Sequence, residues 1–200
     1  MANKTKLLIA TSNQGKLKEF SLLLPDFKII SQKSLNLAPE EETGTTFYEN
    51  SLHKARAGAI KSSLLSLGDD SGLIVPALGN MPGLRSARYA HENATDEENR
   101  NYLKNELKKI GVNKTKAYFV CILTIIKNAE DPFPLISTGI LDGIVSIESR
   151  GQNGFGYDEM FYPKNYKESL AEMSLERKSE ISHRGKAIRD LKNKIDKFSK

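Results

Sequence analysis

Cysteine is nearly missing. Cys121 is the only one in 200 residues, so no intrachain disulfide can form, and such usage fits a reducing cytoplasm. With three histidines and this single thiol, there is no spaced set of soft ligands for structural zinc. Long apolar runs are lacking too. None approaches the roughly 18 residues that cross a bilayer, and Lys6 to Ala10 is too short for a secretory core, so no membrane segment is expected. Basic residues interleaved with aromatics do not recur and no recognised nucleic-acid motif occurs, so a stable nucleic-acid complex is not expected either. Internal repeats and low-complexity linkers are absent.

What remains suits one folded domain over residues 1–200. Hydrophobic residues make up 38% and charged ones 28%, a globular rather than a disordered balance. The net charge of +5 comes from 30 basic and 25 acidic residues, and much of the excess lies in residues 161–200. A basic surface can serve a nucleic acid, an anionic small molecule or solubility alone; the missing nucleic-acid motifs favour a phosphorylated small ligand over a polymer.

The apolar spacing predicts strands interspersed with helices. Lys6 to Ala10 reads as a short buried strand, followed by a polar turn from Thr11 to Lys16 and a helix from Leu17 to Leu24 that Pro25-Asp26 stops. Thr46 to Glu49 has capping-box spacing for a helix reaching about Ser63. Gly68 to Gly72 then leads into a strand at Leu73-Ile74-Val75, and Leu78 to Gly83 reads as a loop. A second capping box, Thr95 to Glu98, opens a helix with Leu103, Leu107 and Ile110 on one stripe, ending at Gly111. Lys116 to Ile126 is the longest strand, apolar enough to be covered on both faces and to bury Cys121 as an inert thiol. Asp131 to Pro134 turns the chain into a strand from Leu135 to Leu141, and Asp142-Gly143 reads as a hairpin into Ile144 to Ile147. From Pro163 onward the chain reads as helical and charged, with Ile188, Leu191, Ile195 and Phe198 at core spacing. The sum is an α/β fold with a mixed sheet.

Chemistry concentrates in five segments. Asp69 and Asp70 are adjacent carboxylates between Gly68 and Gly72, with Ser71 beside them. Like charges so close repel unless a cation intervenes, and hard oxygen ligands suit Mg²⁺; a polar turn before a strand is the competing reading. Thr11, Ser12, Asn13, Gln14, Gly15 and Lys16 form a strand–turn–helix junction whose free N–H groups and ammonium suit an anion, though an ordinary helix cap looks the same. It is not a Walker loop, whose glycine spacing is missing. Glu40, Glu41 and Glu42 precede the second helix, where Asn50 and Lys54 share a face. One of the three carboxylates is a candidate metal ligand and Lys54 a candidate phosphate group. Gly151 to Asp158, with Gly154, Phe155, Gly156, Tyr157 and Asp158, combines close backbone approach with an aromatic able to cover a planar ring, and a tight hairpin with a core aromatic is the competing reading. Lys178, His183 and Arg184 place donors at the start of the terminal helix, suited to phosphate and to purine carbonyls. Such a basic cluster opposes the helix dipole, which an anionic ligand would offset, and a solvated basic cap is the competing reading.

Taken in order along the chain, these segments resemble the non-canonical purine nucleoside triphosphate pyrophosphatases, the inosine/xanthosine triphosphatase family. The resemblance rests on Thr11-Ser12-Asn13 with Lys16, Glu41 to Gly44 with Phe47 and Asn50, Lys54-Ala55-Arg56, Asp69 to Leu73, Pro82-Gly83 with Ser86 to Tyr89, Gly154 to Asp158, and Lys178 with Ile181 to Gly185. It implies an elongated α/β fold with a mixed central sheet flanked by helices, two lobes around an active-site cleft, and a homodimer. The implied reaction converts ITP, dITP or XTP into the monophosphate plus pyrophosphate with Mg²⁺. By carry-over, Asp70 is proton acceptor and metal carboxylate, Glu42 the other acidic group at the metal, and Asp69 its support. Thr11 to Lys16, Lys54 and Ser71 fall on the triphosphate side. Phe155 to Asp158, Lys178, His183 and Arg184 fall on the base and nearby phosphate. Two positions depart from the pattern: Glu159-Met160 replaces proline and an apolar residue after Asp158, and Ser51 stands where alanine is usual. A pyrophosphatase for modified pyrimidines and a non-catalytic nucleotide-binding module are the rival readings; the second has little reason to keep Asp69, Asp70 and Glu42 together.

Overall fold

The computed structural model describes residues 4–198, and side chains through Ile195. Strand β1, Lys6–Ala10, buries Leu7, Leu8 and Ile9 completely. Helix α1, Gln14–Leu23, starts where the Asn13 side chain accepts from the Lys16 amide, so the polar turn is shorter than the sequence suggested. Strand β2, Lys28–Ser31, follows; four residues carry too little alternation to announce a strand. Helix α2, Phe47–Ser62, begins at a reciprocal capping box between Thr46 and Glu49. Strand β3 is Leu65–Ile74. Helix α3, Asp96–Lys109, has its own capping box at Thr95 and Glu98. Strands β4, Lys114–Ile126, and β5, Leu135–Ser146, form the middle of the chain. Strand β6, Phe161–Pro163, helix α4, Leu175–Ile181, and helix α5, His183–Phe198, complete it.

The strands make one six-stranded sheet in the order β2-β1-β3-β4-β5-β6. β1 runs parallel to both β2 and β3, with Lys6 opposite Lys28 and Ala10 opposite Gly68, whereas β5 and β6 are antiparallel. The sheet is therefore mixed, as expected. Contacts divide the chain into two units. The first holds residues 1–70, 121–139 and 184–200; the second holds 71–120 and 140–183. The first packs Leu7, Ile9, Phe20, Leu67, Cys121, Leu123, Ala187, Ile188 and Leu191 into a core, with Ile195 against it. The second is built around Leu73, Leu103, Leu107, Phe119, Tyr157, Met160 and Phe161. Phe198, expected on the α5 stripe, has its side chain outside the described residues.

Four expectations need correction. Gly68 to Gly72, expected to lead into a strand at Leu73, already lies inside β3, which also disposes of the competing turn. A Cβ on Gly68 would lie 2.0 Å from the Ser51 carbonyl oxygen, so that glycine lets α2 close on the strand. Asp142-Gly143 is likewise inside β5, not a hairpin. Gly143 pairs with Pro163, and a Cβ there would meet the Tyr162 carbonyl oxygen at 2.4 Å; close approach, not turning, selects the glycine. Beyond Pro163 the chain forms a short 3₁₀ turn, Leu170–Glu172, and reaches α-helix only at Leu175. Ile110 caps α3 at 45% exposure, off the buried stripe of Leu103 and Leu107.

Candidate active site

In the first unit, β3 delivers Asp69 and Asp70 with their side chains on opposite faces, the alternation of an extended strand. Their repulsion is thereby relieved before any metal is considered, because each carboxylate has its own cations. Asp70 is gripped by one face of α2. The Lys54 ammonium lies 2.7 Å from Oδ1, and Asn50 Nδ2 donates to Oδ2 at 3.3 Å. These two α2 residues are four apart, as the sequence indicated. Asn50 Oδ1 also accepts from the Gly44 amide at 2.8 Å, tying down the loop that carries Glu42. The Glu42 carboxylate pairs with the same Lys54 ammonium.

One ammonium thus serves two carboxylates. Burial pulls the Lys54 pKa down, but Asp70 and Glu42 outweigh it and hold the group above its usual value. Asp70 is pushed up: burial dominates, and the Lys54 charge that opposes it is partly cancelled by Glu42. Glu42 and Asp70 thus lie on the same ammonium, and this bears on metal binding. Among the described residues no group of three or more His, Cys, Asp or Glu side chains is arranged to hold a metal ion. Mg²⁺, however, is typically held by one or two carboxylates, with waters and substrate phosphates completing its shell. Two hard carboxylates brought to one ammonium, Glu42 and Asp70, fit that requirement.

Asp69 faces the interior. Its Oδ2 accepts from Arg184 Nε at 2.7 Å and its Oδ1 pairs with Lys16 Nζ at 3.0 Å. Burial would raise its pKa, but the Arg184 guanidinium and the Lys16 ammonium overcome this and hold the carboxyl well below the usual range. The sequence reading sets Arg184 against the base; here the side chain is 1% exposed and also pairs with Glu19 of α1. Glu19 was not foreseen. Its signal was the three-residue spacing from Lys16, which puts both on one helix face. Cys121 Sγ is 3.9 Å from Asp69 Oδ1, and burial, then the Asp69 charge, drive its thiol pKa well up. The thiol is inert. In the junction before α1, Thr11 Oγ1 accepts from the Asn13 amide at 3.2 Å, Gln14 Nε2 reaches the Ser12 carbonyl at 3.4 Å, and Gly15 is half-buried.

The second unit gathers most of the residues expected at the base. Asp158, nearly buried, accepts from the Phe155 amide at 2.9 Å and from Lys178 Nζ at 2.6 Å. Lys178 Nζ also stands 4.5 Å from the centre of the Phe155 ring. Gly154, at φ +80°, admits the Asp158 carboxylate where a Cβ would collide with it at 2.1 Å. Gly156 is bracketed by Asp96, which accepts from its amide at 2.7 Å, and by Arg100, which donates to its carbonyl at 2.8 Å. Tyr157 is a strut: its ring is in the core, its hydroxyl donates to the Ser86 carbonyl at 2.8 Å, and burial drives its pKa far up. His183 stacks on Phe119 at 4.7 Å with 11° between the planes. Ser71, half-buried, ends the acidic segment of β3.

The departures from the family pattern find local explanations. The Ser51 hydroxyl donates to the Gly68 carbonyl at 3.0 Å and lies 2.9 Å from Thr124 Oγ1. Glu159 pairs with Arg100 at 3.2 Å, and Met160 is fully buried.

The sheet order and the two carboxylates that share one ammonium define a mixed-sheet α/β class of protein. Within it the chain belongs to the Ham1 family, whose model matches residues 7–194. A Legionella pneumophila dITP/XTP pyrophosphatase is 42% identical over 187 residues, covering 94% of this chain and 96% of the relative. The dITP/XTP pyrophosphatase of Haemophilus influenzae is 43% identical, covering 96% and 100%. Among solved structures, a HAM1 protein from Coxiella burnetii superposes with a TM-score of 0.87 at 39% identity, covering 96% of this chain and 99% of that one. The Staphylococcus aureus Ham1 protein gives 0.82 at 36% identity, covering 96% and 98%.

Proposed function

We propose that this chain is a Mg²⁺-dependent nucleoside-triphosphate pyrophosphatase that hydrolyses ITP, dITP and XTP to the monophosphate and pyrophosphate, clearing such nucleotides from the precursor pool. The observation that carries the reading is the Lys54 ammonium shared by Glu42 and Asp70, in a family whose matched relatives bear the name dITP/XTP pyrophosphatase. The enzyme works in the cytoplasm as a homodimer on this reading. The single buried thiol supports the first. The second is carried over from the family resemblance alone.

Asp70 orients a water and takes its proton as the oxygen attacks the α-phosphorus. A carboxylate whose pKa is raised by burial is a better proton acceptor than a solvated one. The bond from the α-phosphorus to the bridging oxygen breaks, and pyrophosphate leaves with its charge offset by Lys16 and Lys54. Mg²⁺ held by Glu42 and Asp70 supplies further neutralisation of the phosphate oxygens when bound. Phe155, Lys178 and His183 read the base. The 6-keto oxygen of hypoxanthine and xanthine accepts hydrogen bonds where adenine presents an amine, and guanine's 2-amino group is left without an acceptor. A buried unpaired amine costs about 1–3 kcal/mol, or one to two decades of preference.

Pyrophosphate and orthophosphate release across ITP, dITP, XTP, GTP and ATP, with and without Mg²⁺, tests this. Expected is pyrophosphate alone, requiring Mg²⁺, with at least ~10-fold preference for the first three over ATP. Orthophosphate release, or ATP turned over as well as ITP, overturns it.

A further inference from the structure

We propose that Glu19 is a positioning residue: with Arg184 and Asp69 it closes a buried ring of alternating charge that fixes the Lys16 ammonium for phosphate. The ring runs from Lys16 to Asp69, from Asp69 to Arg184, and from Arg184 to Glu19. It closes through α1 itself, which carries both Lys16 and Glu19 on one face. Three of the four side chains are at most 1% exposed, and only Lys16, at 14%, reaches toward solvent. The ring's four side chains contribute two positive and two negative charges. The two oxygens of Asp69 are divided between Lys16 and Arg184. Arg184 in turn divides its nitrogens between Asp69 and Glu19.

Removing the Glu19 charge unbalances this partition. The guanidinium keeps Asp69 as a charged partner, and a bidentate Arg–Asp pair becomes the favoured geometry. Asp69 Oδ1 is drawn toward Arg184, and Lys16 loses the acceptor that aims it. Glu19 therefore acts on phosphate through two intervening side chains. This inference rests on the reading of Lys16 as a phosphate-binding group.

The test is a double-mutant cycle between Glu19→Gln and Lys16→Ala, read by calorimetric binding of inorganic tripolyphosphate and by KM and kcat for pyrophosphate release from ITP. Glu19→Gln is expected to weaken tripolyphosphate binding and raise KM about tenfold in the Lys16 background, with kcat changed less than about threefold. In the Lys16→Ala background the same change is expected to have less than about twofold effect. Equal effects in both backgrounds overturn the proposal, as does wild-type affinity in Glu19→Gln or failure of the wild-type chain to bind tripolyphosphate. Tripolyphosphate binding with the expected coupling, but no pyrophosphate from any nucleotide, sinks the proposed reaction and leaves the ring standing. Should Glu19→Gln fail to fold, Arg184→Lys keeps the charge but not the fork that reaches both carboxylates; it must give the same binding loss and the same coupling to Lys16.

Discussion

Asp69 and Asp70 are chemically identical neighbours with opposite environments. Asp70 shares Lys54 with Glu42 and is pushed toward protonation by burial, while Asp69 lies between Arg184 and Lys16 and is locked as an anion. The acidic pair was legible in the sequence. The division of labour was not, because it follows from the strand pleat and from partners 53 and 115 residues away. Asn50 and Lys54, on the helix just upstream, could be placed on one face from the sequence, but not as partners of Asp70. Asp70→Asn removes the proton acceptor and one hard ligand while keeping the shape and the contact with Asn50. Turnover should fall at least ~10²-fold. Stability should change little, since the relief of a buried charge offsets the loss of one Lys54 partner. Pyrophosphate release and thermal unfolding of the variant, measured side by side, check both halves. Near-normal turnover would remove Asp70 from the mechanism.

At the scale of elements, what could be read was what is local. The two capping boxes depend on residues three apart, and both helices begin where those boxes place them. Gly68 and Gly143 were misread because a glycine signals backbone freedom without saying whether a turn or a close neighbour requires it. Here the neighbour requires it. β3 lies against α2 at Gly68, and the Ser51 hydroxyl fastens the two by donating to the Gly68 carbonyl. A methyl group at Gly68 would sit 2.0 Å from the Ser51 carbonyl oxygen and 2.7 Å from the Ala55 amide nitrogen, both rigid backbone atoms. Gly68→Ala must therefore push α2 away from the strand, and with it Lys54 and Asn50. A loss of about 3 kcal/mol in chemical denaturation is expected, the upper part of the usual overpacking range, with a drop in pyrophosphate release in the fraction that stays folded. Wild-type stability in that variant would show that the helix–strand contact is looser than its geometry indicates.

For the whole molecule, strand order lay beyond the sequence, since β2-β1-β3-β4-β5-β6 is set by pairings between distant segments. The same long-range pairings govern how the fold answers acid. Asp69 has a folded pKa below the ordinary carboxylate value, so its stabilising contribution is complete above about pH 4 and is lost as pH falls below that. Asp70 works in the opposite sense: its raised pKa means that protonation relieves a cost, so mild acid should not unfold the chain. The thermal midpoint is therefore expected to hold or rise slightly between about pH 7 and 5, and to fall steeply below about pH 4. Growing positive charge adds to any acid transition, so the Asp69 contribution has to be separated from it. Asp69→Asn does this. That variant should begin less stable at neutral pH, because Arg184 and Lys16 lose their shared anion, and its midpoint should approach the parent's on acidification as the parent's own Asp69 protonates. Parallel curves, offset by the same amount at every pH, would show that the ionisation of Asp69 contributes nothing to folding.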